Sequence, residues 1–352
     1  MAGARRQYCI AMPTEVLINA RAAARPELGG VERWARELEH RLPELSATRY
    51  AVARPSSLFS HRAGHLWEQA VLPARRARLI LCPANLAPVA SRSTVVVIHD
   101  VAPLRDPSWY SPAYVRWQRI VLPRIARRAR AVIVPSEFSA GEVVSLLGVP
   151  DERVHVVPGG VDPKFGLVST EDAAAARDEL GLGDDRYVLA VASATSRKNL
   201  RVLDSAAPAL AEHGVRVLLA GGHRPQFKDS ARSREVETLG HVPDRLLPGL
   251  YAGAAAFALP SLYEGFGLTA VEAMAAGTPV VASDRTALPE VCGEHAIYAD
   301  PQDAGAFTDA LVSAIDGSAP DRDLARERAG TFTWDRTARG VDAVVQSVLA
   351  EL

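Results

Sequence analysis

The sequence is short of several features by which a chain declares its class. Its three cysteines, Cys9, Cys82 and Cys292, lie far apart with no C-x-x-C pair, so no disulfide framework is written into it, and a reducing compartment, the cytoplasm, is expected. Charge of one sign is not in excess. Lys and Arg number 40 against 41 Asp and Glu, which gives no reason to expect nucleic acid or an acidic polymer as partner, so recognition must be local. No apolar run approaches the roughly 18 or more residues of a membrane helix, which argues against a spanning protein and leaves surface association open. Arg5 and Arg6 precede "YCIAM", but Pro13, Glu15 and Asn19 interrupt that stretch, so it reads as a first strand rather than a signal peptide. A P-loop, a G-x-S-x-G elbow, short repeats and low-complexity tracts are also missing.

What remains is a rhythm. Short apolar runs recur, among them "RLILC", "TVVVIHD", "AVIVPS", "VHVVP", "YVLAVAS", "VRVLLAGG", "AAFALPS" and "TPVVASD". Between them lie helical patterns such as "GVERWARELEHRL", "SAGEVVSLLG" and "GLTAVEAMAAG". Continuous rather than alternating strands, interleaved with helices, predict α/β architecture with parallel sheets covered on both faces. The rhythm pauses in the Gly/Pro-rich segment 156–166 and then restarts, which predicts a hinge between two facing, doubly wound domains. At 352 residues two cores are the natural expectation.

Candidate chemistry gathers in one stretch, "LYEGFGLTAVEAMAAGTPVVAS" (262–283), where Glu264 and Glu272 flank a Gly265-Phe266-Gly267 turn. The turn opens a short helix, and a helix N-terminus reached through glycines is suited to a phosphate. Glu272 sits among Ala and Met, so its charge needs donors; a ribose diol or an arginine from elsewhere would supply them. His99 and Lys198 also follow apolar strand runs, where open α/β sheets bind ligands, although a turn residue and a solvated helix start are the plain alternatives. "GFGLTA" is literally G-x-G-x-x-A with Asp284 downstream, so a dinucleotide site remains an alternative. Other signals are thinner. His61 and His65 lack a third ligand, "DRD" (321–323) lies among charged helical residues, and no metal is expected. The arginine-rich 116–130 stretch reads as a solvated face, or else as a peripheral contact for anionic lipid or an anionic acceptor.

Taken together, "PSLYEGFGLTAVEAMAAGTPVVASD", with Glu264 and Glu272 as E-x7-E, resembles the donor site of family 4 retaining glycosyltransferases. The likeness extends through "GGVERWARELE", "HDVAPLRDPSWYSP", "VPSEFSAGEV", "VVPGGVD", "RKNL", "GHVPDRLLPGLYAGA" and "FTWDRTARG". It implies a GT-B fold, with a first Rossmann-like domain over 1–160, a nucleotide-sugar domain over 161–334, and a final helix, about 335–352, returning to the first. It implies a cytoplasmic hexosyltransferase, with the arginine-rich stretch leaving a peripheral contact at the inner membrane face open, whose partners are a nucleotide-sugar donor and a sugar, glycolipid or natural-product hydroxyl acceptor, with no cofactor or metal. Glu264 would contact the donor sugar, with His99 nearby. The amides of Gly265, Phe266, Gly267 and Leu268 would hold the diphosphate, Gly29 and Gly30 approach it from the other domain, Lys198 neutralise it, and Glu272 hold the ribose. Val242 would line the nucleotide pocket. Many relatives carry a Gly-Arg before the Lys; here "VASATSRK" offers only Arg197, with Ser193 and Thr195 as further donors. The "HDVAPL" and "RKNL" variants resemble mannosyltransferases using GDP-mannose. A GT-B sugar-nucleotide epimerase and an NAD-dependent oxidoreductase stand as alternatives.

Overall fold

The computed structural model describes residues 14–25, 29–56, 64–75, 77–193, 195–221 and 235–352. The first half forms a six-stranded parallel sheet of β1 (Val16–Asn19), β2 (Tyr50–Ala53), β3 (Leu79–Cys82), β4 (Thr94–Val97), β5 (Ala131–Val134) and β6 (Val154–Val156). The second contains β7 (Arg186–Val191), β8 (Val215–Ala220), β9 (Glu237–Gly240), β10 (Ala256–Leu259), β11 (Val280–Ser283) and β12 (Ile297–Ala299), again parallel. Central strands such as "TVVV" and "AVIV" are buried at every position, because helices cover both faces of each sheet and leave no side for polar residues.

Strand order decides where a ligand can sit. It runs β2-β1-β3-β4-β5-β6 in one sheet and β12-β11-β10-β7-β8-β9 in the other, so the direction of winding reverses between β1 and β3 and between β7 and β10. Crevices open beyond the carboxyl ends of strands at such reversals. The chain leaving β1 leads to Gly29 and Gly30; the chains leaving β7 and β10 lead to Lys198 and Glu264. The two reversals therefore deliver the predicted polar groups.

The chain crosses between the sheets twice, side by side. The Val161 N–H donates to the Phe332 carbonyl at 2.9 Å, and Thr337 Oγ1 donates to the Pro158 carbonyl at 2.8 Å. Gly160 permits the approach: a Cβ there would lie 2.3 Å from the Trp334 nitrogen. The helix Trp334–Ala350 then lays its apolar stripe, Trp334, Ala338, Val341 and Val345, into the core formed by Val16, Trp34 and Leu38 of the first half.

Four strands, β1, β2, β9 and β12, are not among the runs that the sequence picks out. "VLIN" and "YAVA" are apolar but only four residues long, beside Glu15 and Arg49, while "ETLG" and "IYA" are short and partly exposed. "YCIAM", expected as the first strand, and Cys9 lie outside the described residues; Cys82 and Cys292 are free and buried. No helix among the described residues is long and apolar enough to cross a membrane.

Candidate active site

Glu264 stands five residues beyond β10, 7% exposed, and is met by two cations. Lys198 Nζ donates to its Oε1 at 2.5 Å and Arg197 Nη1 to its Oε2 at 3.2 Å; the same Arg197 nitrogen also donates to the Tyr263 carbonyl at 2.5 Å. Both cations come from the single turn Ser196–Lys198 after β7, ended by Asn199 with φ +53°. Burial by itself would raise the Glu264 carboxyl, but Lys198 and Arg197 overcome it and hold the group near 2. Burial lowers Lys198 from its ordinary value, opposed by Glu264. Arg197 is thus engaged on Glu264. Thr195, just before the turn, buries a hydroxyl with no hydrogen-bond partner among the described residues.

The Gly265-Phe266-Gly267 turn is pressed against the first half. A Cβ on Gly265 would lie 2.0 Å from the His99 carbonyl, and the Gly265 carbonyl accepts from Ser136 Oγ at 2.6 Å and Ser139 Oγ at 3.0 Å. Gly267 has φ +93°, which only glycine adopts without strain, and from there the helix Leu268–Ala275 begins with no side-chain cap. Opposite it, Gly29 caps the helix Gly30–Leu45, and a Cβ on Gly30 would stand 3.9 Å from Leu268 Cδ2. Both glycine pairs therefore frame one uncapped helix start. Phe266 is 8% exposed and packs edge-on against Phe332, so it contributes its amide rather than its ring. The Val242 side chain is buried in the core of the second half, which leaves its backbone as the part that faces outward from that core.

Two protein donors from different parts of the chain face Glu272. Arg33, on the first turn of the Gly30–Leu45 helix, donates to Oε1, and Tyr251 Oη donates to Oε2 at 3.0 Å. Burial raises the Glu272 carboxyl above its ordinary value; Arg33 and Tyr251 oppose it without cancelling it. Arg33 also lies 3.7 Å from Asp244, so one first-half cation faces two second-half acids.

His99 is buried, with Nε2 2.9 Å from the Pro83 carbonyl and its ring edge-on to Trp34 at 5.2 Å. A carbonyl opposite Nε2 requires the proton there, and burial lowers the imidazole's pKa despite that carbonyl. Nδ1 is left as an acceptor. His99 therefore suits accepting from a sugar hydroxyl.

The thinner signals are structural. Asp321 caps the Asp323 and Leu324 amides, and Asp323 pairs with Arg326. His61 lies outside the described residues, and His65 is 3.9 Å from Glu68; no group of three or more metal-ligating side chains occurs among the described residues. In the arginine-rich helix Pro112–Arg128, Arg127 donates to the Leu147 carbonyl and Arg128 to the Val89 carbonyl, while Arg116, Arg119 and half-exposed Ile120 border a hollow of about 430 Å³. Arg33, Tyr251 and Thr286 were missed by sequence reasoning. Arg33 stood in "GGVERW", where a solvent-facing helical arginine is the ordinary reading.

Two family profiles match consecutive parts of the chain: "Glycosyltransferase Family 4" over residues 76–165 and "Glycosyl transferases group 1" over 185–316. The O-antigen chain mannosyltransferase B of Escherichia coli is 31% identical over 255 residues, which is 68% of this chain and 67% of that protein. The chain belongs to glycosyltransferase family 4. The MMP alpha-(1->4)-mannosyltransferase of Mycolicibacterium hassiacum is 33% identical over 69% of this family 4 chain and 61% of its own length. Among solved structures, sucrose-phosphate synthase from Thermosynechococcus elongatus superposes with a TM-score of 0.75 at 21% identity, over 96% of this chain and 100% of that one. Anabaena HepE, in complex with UDP and glucose, gives 0.73 at 19% identity, over 95% and 100%. Those likenesses identify the fold, GT-B, with two Rossmann-like halves. The family 4 chain is thus a glycosyltransferase, and the Glu264 and Glu272 pair lies at the meeting of its two sheets.

Proposed function

We propose that this glycosyltransferase moves mannose from a nucleoside diphosphate sugar, GDP-mannose in the first instance, to an acceptor hydroxyl with retention of the α configuration. The observation that carries the reading is the pair of cations on Glu264 beside the uncapped helix start at Leu268. Glu264 and His99 Nδ1 accept from hydroxyls of the transferred sugar. The amides of Gly265 to Leu268, together with Lys198 and the Gly29–Gly30 loop, hold the diphosphate. Glu272 accepts from the ribose, sharing its oxygens with Arg33 and Tyr251.

The bond between the anomeric carbon and the phosphate oxygen breaks, its electron pair going to the diphosphate. The acceptor oxygen bonds to that carbon on the same face, and the acceptor proton passes to the departing phosphate oxygen. Lys198 and the helix amides meet charge that grows as the leaving group departs, which is where fixed donors in a water-poor site contribute most. Mannose is supported by the names of the two curated relatives and by the "HDVAPL" and "RKNL" segments. The test is incubation with GDP-mannose and a panel of acceptors, followed by NMR of the product's anomeric proton. An α-mannoside sustains the reading; an inverted product, an epimerised donor without acceptor, or binding of nicotinamide dinucleotide alone contradicts it.

A further inference from the structure

Behind Glu264 lies a second cavity, of about 440 Å³, which the mechanism above does not use. Both halves build it. Arg105, Trp109 and Phe138 come from the first, and Tyr263, Arg285 and Thr286 from the second. Its floor is aromatic: Tyr263 lies 6.2 Å from Trp109 and 5.4 Å from Phe138, centroid to centroid, both inclined rather than stacked. Its rim is polar. Small-molecule sites are typically cavities of roughly 300–1,000 Å³ at domain interfaces, and this cavity matches them in size and place while its lining is divided between aromatic and polar side chains.

The charges at the rim narrow the ligand class. Arg285 donates to Asp300 at 2.6 Å and to Gln302 at 3.1 Å, and Arg105 lies 3.8 Å from Glu142. Both guanidinium groups already face a carboxylate, and Asp106 adds a further acid to the lining, so a phosphate or carboxylate ligand finds no uncompensated cation. Aromatic carbon below, with planar N–H donors and carboxylate acceptors around it, is instead suited to a neutral polyol whose ring has one apolar face and a hydroxylated edge.

The cavity is also coupled to the reacting centre. Thr286, held at φ +62°, accepts from the Glu264 N–H at 3.1 Å and donates to the Arg285 carbonyl at 2.7 Å. Tyr263 is the residue before Glu264, and its carbonyl receives Arg197. A ligand seated here touches the two residues that position Glu264.

We propose that this cavity binds a pyranose of the acceptor that neighbours the sugar receiving transfer, so that the acceptor is a saccharide chain. The proposal rests on the glycosyltransferase reading above. Arg105 and Arg285 set the affinity for that sugar; Trp109 and Tyr263 form its floor.

The test uses the whole protein saturated with GDP and α-linked mannotriose as probe, with methyl α-mannoside as the shorter comparison. Saturation-transfer NMR reads contact directly, without turnover. Mannotriose is expected to receive saturation and methyl α-mannoside much less, and Arg105→Ala with Arg285→Ala is expected to weaken mannotriose at least about tenfold, the loss of one hydrogen bond to a charged group. GDP affinity should stay as in the wild type. Since both arginines lie at the exposed rim, folding is checked by thermal unfolding, and Phe138→Leu provides an independent change in the floor with the same expected direction. Equal saturation of both saccharides, mannotriose binding untouched in both variants, or competition by inorganic phosphate overturns the subsite. If transfer from GDP-mannose fails while mannotriose still binds through Arg105 and Arg285, the donor reading falls and the saccharide site stands.

Discussion

Replacing Arg33 by methionine tests the ion pair with Glu272 that joins the two halves. The substitution keeps length and apolar stem and removes only the cation. Arg33 is 15% exposed and Glu272 4%, so the pair is screened far less than a surface bridge. Removing one member of a buried pair costs about 3–5 kcal/mol when the other stays charged. Glu272 has a way to reduce that cost. Its carboxyl is already raised by burial against Arg33 and Tyr251, and without Arg33 it rises further, each pH unit corresponding to about 1.4 kcal/mol. An acid whose folded pKa lies above its unfolded value contributes stability at low pH, and that contribution fades as pH rises through the folded pKa. Arg33→Met should therefore lose about 2–3 kcal/mol at pH 8 and less at pH 5, which lies closer to the raised pKa of the orphaned acid. Urea unfolding at both pH values measures this. Adding Glu272→Gln should recover about 1–3 kcal/mol at pH 8, the coupling expected of a close pair. Wild-type stability of Arg33→Met at pH 8, or a loss independent of pH, would refute the pairing.

Glu264 should act in the opposite sense: held near 2 by Lys198 and Arg197 against burial, it stabilises the fold above its ordinary value and loses that contribution as pH falls from about 4.5 to 2. Glu264→Gln should flatten this part of the acid unfolding profile, and an unchanged profile would show the cations are not holding it. Lys198→Ala should reduce kcat by about 10²-fold or more while GDP-mannose affinity changes less; near-normal turnover would remove Lys198 from the site. Prolonged EDTA treatment should leave transfer intact if Lys198 and helix amides carry the leaving group, whereas complete loss restored by a divalent cation would contradict that.

The fold was legible where the residues themselves enforce it. Strands buried on both faces, such as β4, β5 and β10, must be continuous apolar runs, and the glycines before Leu268 mark a backbone that side chains cannot follow. Lys198 and Glu264 could be placed because the ends of strand runs are visible in sequence. Edge strands β9 and β12 were not, since partial exposure leaves "ETLG" and "IYA" without a pattern. Arg33 was invisible for another reason. Its partner is 239 residues away, and nothing in "GVERW" separates an arginine that crosses to the other half from one that faces water.

The division of labour between the two glutamates is tested most directly by calorimetric titration of GDP and GDP-mannose into folded Glu264→Gln and Glu272→Gln. If Glu272 accepts from the ribose, its variant should lose about 1.5–3 kcal/mol for both ligands, a charged hydrogen bond in each case. If Glu264 accepts from the transferred sugar, its variant should bind GDP as the wild type does and lose affinity for GDP-mannose and turnover. Equal losses of GDP in the two variants, or a loss of GDP confined to Glu264→Gln, would contradict the assignment.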